Sequence, residues 1–146
     1  MAEFERRADV VWEGSLADGS GRVSAASGAF QELPVSWSAR VEEVDGTSPE
    51  ELVAAAHAAC YAMALSHTLT QGGNPPERLA VTAVVSGELG DAGLAVTTSE
   101  LSVSASVPGL DQAEFDRRAH DAERNCPISN ALRGAVEIRL NATLES

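Results

Sequence analysis

Thiol chemistry is what the residue types of this 146-residue chain offer most directly, through Cys60 in HAACYAMALS and Cys126 in NCPISNAL. Two cysteines are too few for a secreted disulfide framework, and they lack the CxxC or CxxC...H spacing of thioredoxin-like or zinc sites. If they act, they act as thiols; the competing reading of each is a small buried hydrophobe. Cys60 falls in the middle of an apolar helical stretch, where the helix dipole helps a thiolate little and a nearby cation would be needed. Arg40 is the candidate cation, with a solvated surface charge as its alternative. Cys126 precedes Pro127, which suits the first position of a short helix and places Cys126 at a helix N-terminus, where the dipole favours a thiolate.

Glu50 is a candidate carboxylate for the same site. On a continuous helix it precedes Cys60 by roughly 15 Å of rise and about 80° of rotation, so the two cannot touch within one straight helix. Glu50 therefore either reaches a Cys60 of another chain, or the helix breaks between them, or Glu50 is a first-turn carboxylate favoured by the dipole. His57, one turn before Cys60, raises a metal site with Cys60 and His67, but no carboxylate or further cysteine at ligand spacing completes four ligands. His120 reads as an exposed helical position. Ser-His-Asp hydrolysis has little support, since no G-x-S-x-G nucleophile turn is present.

Composition narrows the partners. Ten basic against 22 acidic residues give a net charge of -12 and a pI near 4.5, which repels phosphate backbones and anionic lipid. All the basic residues are Arg, and the absence of Lys excludes Schiff-base chemistry, PLP attachment and a P-loop lysine. Hydrophobic residues make up 44% but aromatics only 4%, so the core must be built from Ala, Val and Leu. The segment MAEFERRADV has no apolar h-region, and the apolar run Leu52 to Leu65 is too short to span a bilayer and carries His57. The expectation is a cytoplasmic protein without nucleic-acid or membrane partners.

The elements that must position these residues follow from periodicity. Val10 to Leu16, Arg22 to Ser24 and Val35 to Val41 read as a three-stranded meander, with Arg40 on the face away from Val35, Trp37, Ala39 and Val41. Ser48 as N-cap, Pro49 at the first helical position and Glu51 form the capping signature of a helix whose residues 52–69 are apolar nearly all round, which calls for burial on several sides. The stretch Gln71 to Pro76 ends it. Leu79 to Leu89 and Leu94 to Val107 form a hairpin around GDAG. Asp111 and Glu114 open a helix with the stripe Phe115, Ala119 and Ala122, which fades near Asn125. A short helix from Pro127 to Arg133 and a strand from Val136 to Leu144 close the chain. The order βββ-α-ββ-α-α-β with antiparallel strands is α+β, and the absence of linkers or repeats reads as one domain over 1–146.

The segments TSPEELVAAAHAACYAMALS and NCPISNAL together closely resemble the OsmC/Ohr family of organic hydroperoxide reductases. The likeness extends through VWEGSLADGSGRVSAASGAF, the segment ending in SAR, and SVSASVPGLDQAEFDRRAHDAERN, and it favours the OsmC branch; Tyr61 supplies the aromatic that follows the family's first cysteine. The resemblance implies antiparallel sheets around a central buried helix, an intertwined homodimer, and a cysteine peroxidase without haem, metal or flavin. In that likeness Cys60 matches the peroxidatic cysteine and Cys126 the resolving cysteine, while Arg40 and Glu50 match the pair that positions and activates the thiolate. A helix packed at a dimer interface would explain its apolar faces, and Glu50 crossing from a partner chain would resolve its distance from Cys60. The implied substrates are alkyl or lipid hydroperoxides, and the implied reductant is an external dithiol such as a protein-bound lipoyl group. A ligand-binding or structural member of the same fold with inactive cysteines stays open, as does a hydrolase or isomerase using His57.

Overall fold

The computed structural model describes residues 3–42 and 45–145. The chain forms two compact units, the first ending at Leu52 and the second beginning at Val53. In the first, β1 (Ala8–Glu13), β2 (Ser20–Ala25) and β3 (Leu33–Val35) form an antiparallel sheet in that order. The turn between β1 and β2 admits only glycine at Gly19, where a Cβ would lie 2.4 Å from both the Glu13 and Ser15 carbonyl oxygens. Every residue of β1 is exposed, including Val10 and Val11 on opposite faces.

The expected strand from Val35 to Val41 requires correction, because extended pairing stops at Val35. The Ser36 hydroxyl accepts from the Ala39 N–H at 3.0 Å and caps a short helix, α1 (Trp37–Val41), with Arg40 in its last turn. A serine that can bond the backbone three residues on offers the chain an alternative to the ladder, and here it overrides a good alternating pattern.

The long helix α2 (Pro49–Gln71) begins as its capping signature requires: Ser48 Oγ accepts from the Glu51 N–H at 3.1 Å. The Glu51 carboxylate accepts from the Thr47 hydroxyl at 2.6 Å. Within the second unit this helix buries one stripe, His57, Tyr61, Leu65 and Leu69, at the four-residue spacing of a single face. Its other faces are less covered, and Met63 is 73% exposed. Burial on several sides is therefore not supplied within one chain. By length and composition α2 is long and apolar enough to cross a membrane, contrary to the sequence-based expectation. The buried stripe instead packs it onto a sheet.

That sheet is β4 (Arg78–Gly90), β5 (Gly93–Ser106) and β6 (Glu137–Glu145), in that order. The β4–β5 hairpin is antiparallel, but β6 runs parallel to β5, which corrects the expectation of antiparallel strands throughout. A parallel neighbour needs a crossover long enough to return the chain to the same end of the sheet. Helices α3 (Gln112–Asn125) and α4 (Pro127–Leu132) supply it. Asp111 caps α3 by accepting from the Glu114 N–H at 2.8 Å. The predicted stripe Phe115, Ala119 and Ala122 is fully buried with Leu101, Ala105, Tyr61 and Leu65. The architecture is the expected α+β class.

Candidate active site

In the first unit, the S-x-x-A turn at Ser36 aims Arg40 at the start of α2, where the capped first turn presents Glu50. The ion pair is bidentate: Arg40 Nε donates to both Glu50 oxygens at 3.0 Å, and Nη2 donates to Oε2 at 2.8 Å. The guanidinium also lies over the Trp37 ring, 5.9 Å from its centroid. Arg40 thereby holds the Glu50 carboxyl below its ordinary range, against the opposing push of burial. A fixed fork of this kind leaves one guanidinium edge to meet a second anion. Arg40 borders an apolar cavity of about 340 Å³ walled by Val10, Trp12, Leu16, Val35 and Leu52.

In the second unit, α2 and the junction between α3 and α4 bring the two cysteines together. Cys126 is fully buried and serves both as the residue that ends α3 and as the N-cap of α4. Cys60 is half-buried, and both are free thiols. The Cys60 thiol faces Cys126 and the Ile128 N–H. Burial pushes the Cys60 thiol up from its ordinary value, the Ile128 N–H pulls it back, and Cys126 pushes it up again. Cys60 opens on a groove of about 510 Å³ lined by Met63, Ala64, His67, Thr68, Asn125 and Pro127. Such a site can place a small apolar molecule on one sulfur with a second sulfur behind it. Of the four residues predicted from sequence, the structure thus joins Arg40 to Glu50 and Cys60 to Cys126. Helix α2 runs unbroken from Pro49 to Gln71, so a break between Glu50 and Cys60 is not realised.

His57 is fully buried, with Nδ1 at 2.6 Å from Ser99 Oγ and Nε2 at 2.7 Å from Ser129 Oγ. Both ring nitrogens are occupied, which overturns the metal site of His57, Cys60 and His67. Among the described residues no group of three or more His, Cys, Asp or Glu side chains could hold a metal. The same closure removes His57 as an accessible base for hydrolysis or isomerisation. Burial lowers its pKa, with Glu123 opposing and Arg133 reinforcing the shift. His120 is exposed, as expected, with Nδ1 at 2.8 Å from the Asp116 carbonyl. Sequence reasoning missed Ser99 and Ser129. The signal was a polar His57 inside an apolar helix, which must find partners if it is buried. Tyr61 answers the same requirement by donating its hydroxyl to the Ala119 carbonyl at 2.9 Å.

Residues 42–141 match the sequence pattern of the family described as OsmC-like protein. The chain is 40% identical over 143 residues to the peroxiredoxin OsmC of Escherichia coli, covering 98% of this chain and 99% of that protein. It is 37% identical over 99 residues to an organic hydroperoxide resistance protein of Xanthomonas axonopodis pv. citri, covering 66% of each. Among solved structures, it resembles an organic hydroperoxide resistance protein OsmC from Legionella pneumophila, with a TM-score of 0.76, 27% identity, and coverage of 98% of this chain and 99% of that one.

Proposed function

The chain belongs to the OsmC family, and from that premise we propose that it is a thiol peroxidase reducing alkyl or lipid hydroperoxides to alcohols, with Cys60 as the reacting thiol. The observation that carries this reading is the pairing of Cys60 with a buried second thiol, Cys126, beside an apolar groove. The relatives named as a peroxiredoxin and as an organic hydroperoxide resistance protein support a peroxidase-type oxidoreductase.

In the proposed cycle the Cys60 thiolate attacks the distal oxygen of the hydroperoxide. The O–O bond breaks, Cys60 becomes a sulfenic acid, and the departing alkoxide takes a proton to leave as an alcohol. Cys126 then attacks the Cys60 sulfur; the S–O bond breaks, water leaves with the Cys126 proton, and a Cys60–Cys126 disulfide remains. An external dithiol, such as a protein-bound lipoyl group, reduces the disulfide and is itself oxidised. No metal or organic cofactor enters the cycle.

Burial disfavours the Cys60 thiolate, so the cycle needs a cation at the sulfur. Arg40, fixed by Glu50, is the residue suited to that role. Helix geometry keeps Glu50 roughly 15 Å along α2 from the Cys60 of its own chain. The pair accordingly serves the partner's Cys60 in a homodimer. Exposed Met63 on α2 and exposed Val10 and Val11 on β1 are apolar surface of the kind such an assembly would cover. The protein works as one domain over 1–146, in the cytoplasm.

The test is consumption of cumene hydroperoxide and of hydrogen peroxide with dithiothreitol, comparing wild type, Cys60→Ser and Cys126→Ser, with mass spectrometry of the oxidised protein. The expected result is fast loss of the organic peroxide that disappears with Cys60→Ser, and a two-hydrogen mass loss absent from Cys126→Ser. Equal slow turnover in all three proteins would refute the reading and favour a ligand-binding member of the fold.

A further inference from the structure

His57 is a buried titratable group that the proposed cycle does not use, yet three elements converge on it. Its Nδ1 is held by Ser99 of β5 and its Nε2 by Ser129 of α4, with no side-chain exposure at any of the three residues. The placement is not arbitrary with respect to the thiols. His57 and Cys60 are adjacent on one face of α2 at the i,i+3 spacing, and Cys126 and Ser129 stand in the same relation at the start of α4. The bond between His57 and Ser129 therefore runs beside the meeting of Cys60 and Cys126, one helical turn away on both sides. Ser99 occupies the other ring nitrogen and prevents the imidazole from turning out of that bond.

We propose that His57, through Ser129, is a positioning residue that holds the start of α4 against α2, so that Cys126 captures the Cys60 sulfenic acid before a second peroxide does. The inference rests on the peroxidase reading above. Two reactions compete for the sulfenic acid. In one, the Cys126 sulfur attacks the Cys60 sulfur, forming the disulfide and expelling water. In the other, the deprotonated sulfenic acid attacks a second hydroperoxide, gains an oxygen to become sulfinic acid and releases an alcohol. The first reaction is unimolecular, and its rate depends on the fraction of molecules in which Cys126 is seated at Cys60. The short helix α4, begun by a cysteine whose side chain makes no capping bond, is tied by Asn130 to the Arg124 carbonyl and by Arg133 to Glu123, and both of these bonds run to α3 and not to α2. Losing the tether lowers that seated fraction, and neither His57 nor Ser129 lines the groove through which peroxide reaches Cys60.

Ser129→Ala deletes one hydroxyl and is the informative variant; His57→Asn shortens the ring contact and is the second. Wild type and both variants are treated with a concentration series of cumene hydroperoxide, and the ratio of sulfinic acid to disulfide at Cys60 is read by mass spectrometry. In parallel, the rate of sulfenic-acid formation is read by dimedone trapping in a Cys126→Ser background. The expected result for Ser129→Ala is a sulfenic-acid rate within two-fold of its parent. Its half-sulfinylation concentration should fall about five-fold, the ordinary weight of one net hydrogen bond. An unchanged ratio of products, or an equal fall in the sulfenic-acid rate, would overturn the positioning role while leaving the peroxidase reading intact. No Cys60 oxidation in the wild type would overturn both.

Discussion

Replacing Glu50 by Gln tests the activating pair with almost no change of shape. Three donor–acceptor distances of 2.8 to 3.0 Å tie the carboxylate to Arg40, and the side chains are 31% and 17% exposed. An amide keeps one acceptor, loses the charge and turns its NH2 toward the guanidinium, so one charge-assisted bond is lost and another weakened. At this partial exposure the loss is about 1–2 kcal/mol. If Arg40 acts on Cys60 through this fixed position, the second-order rate with cumene hydroperoxide should fall about 5- to 30-fold in stopped-flow measurements. The pH profile gives an independent check. The folded carboxyl titrates below its reference value of 4.5, so the pair's contribution is fully present above that value and is lost as pH falls through the depressed one. Wild type should therefore show, below pH 4.5, a further loss on top of the falling thiolate fraction common to both proteins, and the Gln variant should lack that further loss. A Glu50→Gln rate equal to wild type at neutral pH would show that Glu50 is only a first-turn carboxylate.

Other outcomes follow from single features. Met63→Glu, at a position 73% exposed in the chain, should convert the proposed homodimer to monomer in sedimentation velocity, and an unchanged dimer would place the interface elsewhere. His57 has a folded pKa below 6.5, so its contribution to stability is complete above that value and is lost as pH falls toward the depressed one; Glu123 and Arg133 are the charged groups acting on it. Urea denaturation at pH 7.5 and 5.5 should accordingly show a loss of stability in wild type that is smaller in His57→Gln. Tyr61→Phe removes the second donor to the Ala119 carbonyl, which keeps its helical N–H partner in α3, and should cost about 0.5–1.5 kcal/mol in the same assay, while leaving the peroxide rate within two-fold.

Where the sequence was informative, the reason was local chemistry that tertiary packing had no cause to override. Ser48, Pro49 and Glu51 placed the start of α2, and Asp111 and Pro127 placed the starts of α3 and α4. Those elements placed Cys60 in mid-helix and Cys126 at a helix N-terminus, but the pairing of the two thiols was legible only through the family resemblance. Three features were not legible. The alternation from Val35 to Val41 has strand periodicity, but a single hydroxyl at Ser36 turns it into a helical turn, and nothing in period two reveals that competition. The parallel β6 depends on which side of β5 the crossover returns to, a property of how α3 and α4 pack and not of residues 137–145. The partners of His57 lie far along the chain, so its buried requirement for two hydrogen bonds was visible but its answer was not.

The electrostatics of the two pairs bear on how the proposed enzyme would be controlled. Cys60 sits where burial and a neighbouring thiol both favour the neutral form, opposed only by one backbone N–H. A thiol in that state is a weak nucleophile at neutral pH and is spared from indiscriminate oxidation. Arg40, by contrast, is already neutralised by a bidentate carboxylate, and such a fork positions a guanidinium more than it supplies free charge. In the proposed arrangement, activation would come from bringing an oriented donor to a half-buried sulfur in apolar surroundings. If the two pairs meet across a homodimer, as proposed, thiolate formation is linked to assembly: dilution below the dimer's dissociation constant should slow Cys60 oxidation and leave the Cys60–Cys126 contact, which belongs to one chain, unaltered.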